Sequence, residues 1–162
     1  MFVEDLRRMI MRDASSLRDE LMGYENDGQL WKILPGTKNA AGTLVLHLAG
    51  NLQHFFGAVL GKTGYVRNRD AEFSRREVPR AELLAEVDRA VAAARTGLTA
   101  LKESDLERPY PEDLAGHAWP TGLLLFHMAT HLAYHLGQID YHRRMVTGQP
   151  GNVPALSLTA LK

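Results

Sequence analysis

The sequence of 162 residues contains no cysteine, and this absence excludes several kinds of chemistry. The chain can form no disulfide, holds no cysteine nucleophile and offers no thiolate ligand to a metal ion. It also lacks an excess of charge of either sign, because 19 lysines and arginines balance 19 aspartates and glutamates. Nucleic acids and anionic membrane surfaces are held by strongly basic fields, so we expect neither as a partner.

Long hydrophobic runs are missing as well. No uninterrupted apolar stretch reaches the roughly 18 residues that a membrane span requires. The segment "MFVEDLRRMIMRD" (1–13) carries charges from Glu4 onward, unlike a secretory signal peptide. We therefore expect a cytoplasmic location. Apolar residues still make up 45% of the chain, enough for the core of a single domain over residues 1–162.

Hydrophobic periodicity predicts four amphipathic helices, over residues 3–24, 40–60, 79–101 and 121–147. No segment alternates between apolar and polar residues with the β-branched content of a strand, so no sheet is predicted. The expected fold is all-α, a four-helix bundle with a long loop, residues 61–78, between the second and third helices.

The fourth predicted helix is rich in histidine over "HMATHLAYHLGQIDYH" (127–142), which holds four of the seven histidines of the chain. At about 100° per residue these side chains fall within a stripe about 80° wide, which borders the apolar face of the helix. A fully solvated face would more often carry lysine and glutamate. The stripe consists of His127, His131, His135, Gln138 and His142.

Two histidines four residues apart can bind one metal ion, because they lie one helical turn apart on the same face. His127 and His135 are about 12 Å apart along the helix axis, so the pair is either the first two or the last two of His127, His131 and His135. A third ligand must come from another helix, where His47 and His54 are the candidates. These two are about 10.5 Å apart along their helix, so one of them joins the pair. Spacing leaves these choices open, and histidines that serve only in packing remain the alternative.

Two of these segments resemble the signatures of a known superfamily. "HLAYHLGQI" (131–139) resembles the last-helix motif of the DinB-like superfamily, the YfiT-type metal-binding four-helix bundles. "TLVLHLAGNLQHF" (43–55) is similar to the second-helix histidine segment of that family. "RNRDAEF" (67–73) and "YHRRMVTG" (141–148) resemble one largely uncharacterised branch of it.

The resemblance implies a set of metal ligands. In DinB-like proteins a divalent metal is bound by one histidine of the second helix and by an H-x-x-x-H pair of the fourth. Carried over by position, these residues are His47, His131 and His135, whereas His127 and His54 do not match the motif. Many relatives have an acidic residue or another imidazole inside the H-x-x-x-H segment, where this chain has Leu, Ala and Tyr. No catalytic residue is assigned.

The resemblance implies less about activity. Relatives include enzymes that use mycothiol or bacillithiol, as S-transferases or as a maleylpyruvate isomerase. One expectation is therefore a metal-dependent thiol S-transferase, or a hydrolase-like enzyme, with a small-molecule substrate. Its low-molecular-weight thiol must come from outside, because the chain has no cysteine. The alternative expectation is a metal-binding bundle protein of the stress response without catalytic turnover. Three imidazoles suit zinc, nickel or iron.

Further polar residues lie next to the predicted ligands. Gln138 is one turn beyond His135, Asn51 is one turn beyond His47, and His127 precedes the motif by one turn. We predict that these three orient a ligand by hydrogen bonding or contact a substrate.

Other features of the sequence give three smaller expectations. Gly137 favours the close approach of a neighbouring helix. Phe126, Ala129 and Ala133 widen the apolar stripe of the fourth helix, which predicts a homodimer. In the long loop we expect mainly solvated ion pairs, with the rim of an anionic-substrate site as the alternative. The charged residues concerned are Arg67, Arg69, Asp70 and Glu72.

Overall fold

A computed structural model describes residues 2–151, 153 and 157–161, and every regular element within them is helical. The only β-type pairings in this part are two isolated bridges, so the all-α prediction is confirmed. A π-helical segment (Gln53–Leu60) continues α3, and short 3₁₀ turns span Glu103–Asp105 and Leu158–Leu161. The α-helices are α1 (Phe2–Met22), α2 (Asp27–Leu30), α3 (Ala41–Leu52), α4 (Arg69–Ser74), α5 (Arg80–Ala100) and α6 (Thr121–Thr147).

The four long helices lie within two residues of the predicted bounds. α1 packs against α5 and α6, and α3 packs against the same two helices. Each of the four contributes leucines to one core, among them Leu17, Leu48, Leu98 and Leu132, which are at most 1% exposed. Burying such a side chain stabilises the fold by about 1.5–3 kcal/mol. The periodicity that predicts the helices is therefore the pattern that fills the core.

The stretch Ala41–Leu60 is long and apolar enough to cross a membrane by length and composition, with a mean hydropathy of 1.2. Within the 18-residue window that gives this hydropathy, 78% is buried inside the protein. The core helix of a soluble protein has the same property.

The hydrophobic period predicts one continuous α-helix over residues 40–60. In the structure the second long helix is α-helical only as far as Leu52. From Gln53 its hydrogen bonds reach five residues, as in the bond from Gly61 N–H to Phe56 O at 2.9 Å. α5 packs very closely against this π-helical segment: a Cβ atom at Gly97 would lie 2.0 Å from Phe56 O. Only glycine fits there. Residues after Leu52 are thus out of phase with the angles that an α-helix would give them.

The predicted loop at 61–78 also contains a helix, α4, that the sequence analysis missed. The Asn68 side chain caps α4 by accepting a hydrogen bond from Ala71 N at 3.0 Å. Asp70 and Glu72 lie in the first turn, where negative charge favours the helix. α4 packs against α3 and brings Glu72 to the histidine-bearing face of that helix.

Candidate metal centre

Three histidines of α3 and α6 meet in one cluster. One ring nitrogen from each of His47, His131 and His135 lies within 4.8 Å of the other two. The ring centroid of His47 is 5.2 Å from that of His131 and 5.3 Å from that of His135. His131 and His135 are one turn apart on α6, with centroids 4.6 Å apart. Three imidazoles at such distances could hold a metal ion.

The other two histidines that spacing left as candidates lie outside the cluster. His127 is exposed, and its ring stacks on that of His131 with centroids 6.2 Å apart. His54 lies in the π-helical segment, where its Nε2 is 2.9 Å from Glu112 Oε2.

His142 belongs to the stripe but serves a structural purpose. Its Nε2 donates a hydrogen bond to the carbonyl oxygen of Lys32 at 2.8 Å, and its Nδ1 accepts one from the Tyr24 hydroxyl at 2.8 Å. Burial lowers the pKa of His142, which keeps this imidazole neutral. It therefore holds α6 against the segment that follows α1.

Hydrogen bonds fix the tautomers of two of the clustered histidines. His47 Nδ1 lies 3.0 Å from Oε2 of Glu72, and a carboxylate can only accept, so the proton is on Nδ1. His135 Nδ1 lies 2.7 Å from the amide oxygen of Gln138, which also accepts. In the neutral form of each imidazole the nitrogen without a proton is therefore Nε2, the atom that can bind a metal ion.

Glu72 is the residue of this site that the sequence analysis missed. It is 5% exposed, so the expectation of a solvated ion pair is wrong for this side chain. Arg67 donates to it from Nε to Oε1 at 2.7 Å and from Nη2 to Oε2 at 2.9 Å. Burial by itself raises the pKa of Glu72, but the hydrogen bonds from His47 and Arg67 outweigh burial and the pKa lies below its ordinary value. The carboxylate is therefore ionised at neutral pH.

A glycine of α3 makes room for this carboxylate. A Cβ atom at Gly50 would lie 2.1 Å from Oε1 of Glu72. Every larger residue at this position would displace the carboxylate from His47.

His131 is the least satisfied of the three histidines. Its Nε2 lies 3.2 Å from Nε2 of His47, and its Nδ1 is buried without a hydrogen-bond partner. Burial, followed by the neighbouring His135 and His47, lowers the pKa of His131 to about 4, so the imidazole is neutral at pH 7. Burial also lowers the pKa of His135.

The cluster fits the donor set of a divalent ion. Two ligands of a tetrahedral ion with metal–nitrogen bonds of about 2.0–2.1 Å stand about 3.3 Å apart, close to the observed distance of the two Nε2 atoms. A cation bound by both Nε2 atoms would take the place of the hydrogen bond that joins them when one of the two carries a proton.

A cavity of about 590 Å³ opens beside the cluster. Apolar side chains, including Trp119 and Leu123, form much of its wall. Asn51 lies in this wall, and among the described residues no hydrogen bond joins its side chain to a histidine. The polar lining consists of His47, Asn51, Arg67, Arg69, His127 and His131. A second cavity of about 450 Å³ is lined by His135 and Gln138.

Gly137 does not bring another helix close. It is exposed, and a Cβ atom there would meet no atom within 4 Å. The prediction of a close helix contact at this position is wrong for the described chain.

These features define an all-helical protein with a three-histidine cluster beside a cavity. The sequence model of a family of proteins of unknown function, DUF1572, matches residues 1–159. The chain belongs to this DinB-like family, so the resemblance seen in the sequence is confirmed at the family level. No curated protein and no solved structure matches the chain.

Proposed function

We propose that this protein is a four-helix bundle of the DinB type that binds one divalent metal ion through His47, His131 and His135. The observation that carries the proposal is the position of the ring protons of His47 and His135. Glu72 and Gln138 hold the protons of His47 and His135 on Nδ1, which leaves Nε2 of each free to bind. Zinc, nickel and iron all suit three neutral imidazoles.

We further propose that the bound ion serves a thiol S-transferase. The ion would supply Lewis acidity that favours the anionic, nucleophilic form of a thiol. The thiol must be an exogenous small molecule, because the chain has no cysteine. In the reaction its sulfur forms a bond to an electrophilic carbon of the acceptor while the bond from that carbon to the leaving group breaks.

The chain's own residues have distinct tasks in this proposal. Glu72 and Gln138 orient two of the ligands, and the apolar wall of the cavity binds the acceptor and excludes water from it. His127 lines the same cavity and is not part of the cluster, so its imidazole is the group that we assign to receive the thiol proton.

Elemental analysis of protein purified without a histidine tag tests metal binding, and a stoichiometry near one ion per chain is expected. S-transfer is then tested with bacillithiol, mycothiol or glutathione and with an electrophile such as monobromobimane. Chelator-treated protein and His131→Ala are the controls. Metal without thiol-dependent turnover would favour the alternative, a stress-response protein that binds metal without catalysis. Protein that never retains a divalent ion would contradict both.

A further inference from the structure

The cavity beside the histidine cluster has basic side chains in its lining but no acidic ones. Two arginines and three histidines line it, and no carboxylate does. Clefts lined by one sign of charge concentrate ligands of the opposite sign. Glu72 compensates the charge of Arg67 and the imidazole of His131 is neutral, so the charge that favours an anion in this cavity comes from Arg69.

The two arginines of the cavity differ in what holds them. Arg67 already forms an ion pair within the protein, because its Nε and Nη2 both donate to Glu72. Arg69 is exposed, and its guanidinium carbon lies 5.1 Å from the centre of the Phe73 ring. Among the described residues no carboxylate pairs with Arg69. A guanidinium that packs on an aromatic face still has N–H groups at its edge. These groups can bind a carboxylate through two parallel hydrogen bonds.

The loop before α6 and the first turn of α6 supply an apolar surface to the cavity, which favours a ligand with an apolar body. Trp119 and Leu123 line the cavity and remain 37% and 54% exposed. The indole N–H of Trp119 donates to Leu114 O at 3.0 Å, and the His117 ring packs against it with centroids 4.4 Å apart. The tryptophan is thus held in place with an uncovered face, as in sites that bind small molecules.

The Phe73 ring places the anion site close to the histidine cluster. Its centroid is 4.9 Å from that of His47, and Arg69 packs on the same ring. A ligand bound at Arg69 therefore needs to extend past only one aromatic side chain to reach the imidazoles. The cavity volume of about 590 Å³ lies in the usual range for small-molecule sites, about 300–1,000 Å³.

We infer that the substrate of this site is a small organic anion with an apolar body. Arg69 binds its carboxylate, Trp119 and Leu123 contact its body, and its other end lies at His47 and His131. The placement of the reactive end of the ligand at the histidines rests on the proposed metal-dependent function. Recognition of the anion does not, because Arg69 is not a ligand in the cluster.

Isothermal titration with 4-phenylbutyrate and its uncharged analogue 4-phenylbutyramide tests the inference. Both probes are titrated into zinc-loaded and metal-free protein. The carboxylate is expected to bind about tenfold more tightly than the amide in both forms. Arg69→Gln should remove that difference, and Trp119→Ala should weaken both probes to the same extent. Arg95→Gln is the matched control, because it removes an exposed arginine that does not line the cavity.

Three results would overturn the inference. The first is equal binding of the two probes. The second is an Arg69→Gln variant that melts like the wild type and keeps the preference. The third is a preference that appears only with zinc, since the ion and not Arg69 would then bind the carboxylate. Failure to bind zinc, by contrast, would contradict the proposed function, and the metal-free titration would still decide the role of Arg69.

Discussion

Nδ1 of His47 lies 3.0 Å from Oε2 of Glu72, and both side chains are buried. The contact joins α3 to α4, two elements that are 25 residues apart along the chain at this point. It fixes the orientation of one imidazole and makes that imidazole a stronger donor to a metal ion. Arg67 donates to both oxygens of the same carboxylate, so its positive charge also holds Glu72 in place.

Replacing this carboxylate should weaken metal binding without emptying the site. Glu72→Gln removes the negative charge behind His47 and leaves Arg67 without its ion-pair partner, so a loss of about 10–100-fold in metal affinity is expected. Competition with a chromophoric chelator measures the affinity. Asp70→Asn, on an exposed position of the same helix, is the control. An unchanged affinity in Glu72→Gln would show that the carboxylate has no part in binding.

A change that never touches a ligand should have a similar effect. In Gly50→Ala the new methyl group would occupy the place of Glu72 Oε1, so the carboxylate must move away from His47. We expect weaker metal binding and a loss of about 1–3 kcal/mol in the free energy of unfolding. Gly137→Ala, whose methyl group meets open space, should leave metal affinity within about twofold. Equal affinities in the two variants would contradict the role given to Gly50.

The stability of the metal-free protein should fall in mildly acidic solution. Burial lowers the pKa of His131 to about 4 in the folded chain, against 6.5 for an ordinary histidine. Between these values the unfolded chain binds a proton that the folded chain does not, so protonation favours unfolding. Above pH 6.5 His131 binds no proton in either state, so it does not make the free energy of unfolding depend on pH. As the pH falls from 6.5 toward 4, proton binding to the unfolded chain lowers the free energy of unfolding. Urea unfolding at pH 7, 6, 5 and 4.5 measures this loss. His131→Gln should show a shallower dependence, and identical slopes would contradict the account.

We also predict a homodimer that packs through α6. Several large apolar or aromatic side chains of this helix are exposed, and their burial against a second copy would remove them from water. They are Phe126, Tyr134, Tyr141 and Met145. Light scattering at micromolar concentration should give the mass of two chains, and the double change Tyr134→Glu with Tyr141→Glu should halve it. A wild-type mass of one chain would remove this prediction.

The sequence predicts the long helices well because their apolar residues recur with the helical period and fill one core. It predicts the meeting of His131 with His135 for the same reason, since four residues make about one turn. The bond between His135 and Gln138 follows from the same periodicity, because three residues also bring side chains together on one face.

The rest of the site depends on features that periodicity does not report. The π-helical segment begins inside a continuous helix, and no residue marks its start at Gln53. The contact of His54 with Glu112 joins residues 58 positions apart and is tertiary. Glu72 lies on a helix of six residues, too short for a hydrophobic period. A signal for that helix was present: Asn68 followed by acidic residues is the pattern of an N-cap and a first turn. The packing of the Glu72 side chain against Gly50 is a tertiary contact, which the sequence pattern does not report.

Metal content of five alanine variants, purified without a tag, tests the central claim most directly. His47→Ala, His131→Ala and His135→Ala should each lose nearly all of the divalent ion, because two imidazoles alone bind weakly. His54→Ala and His127→Ala should keep it, because neither belongs to the cluster. Circular dichroism confirms that each variant is folded. If His127→Ala empties the site while His135→Ala keeps its ion, the cluster does not bind metal as we propose.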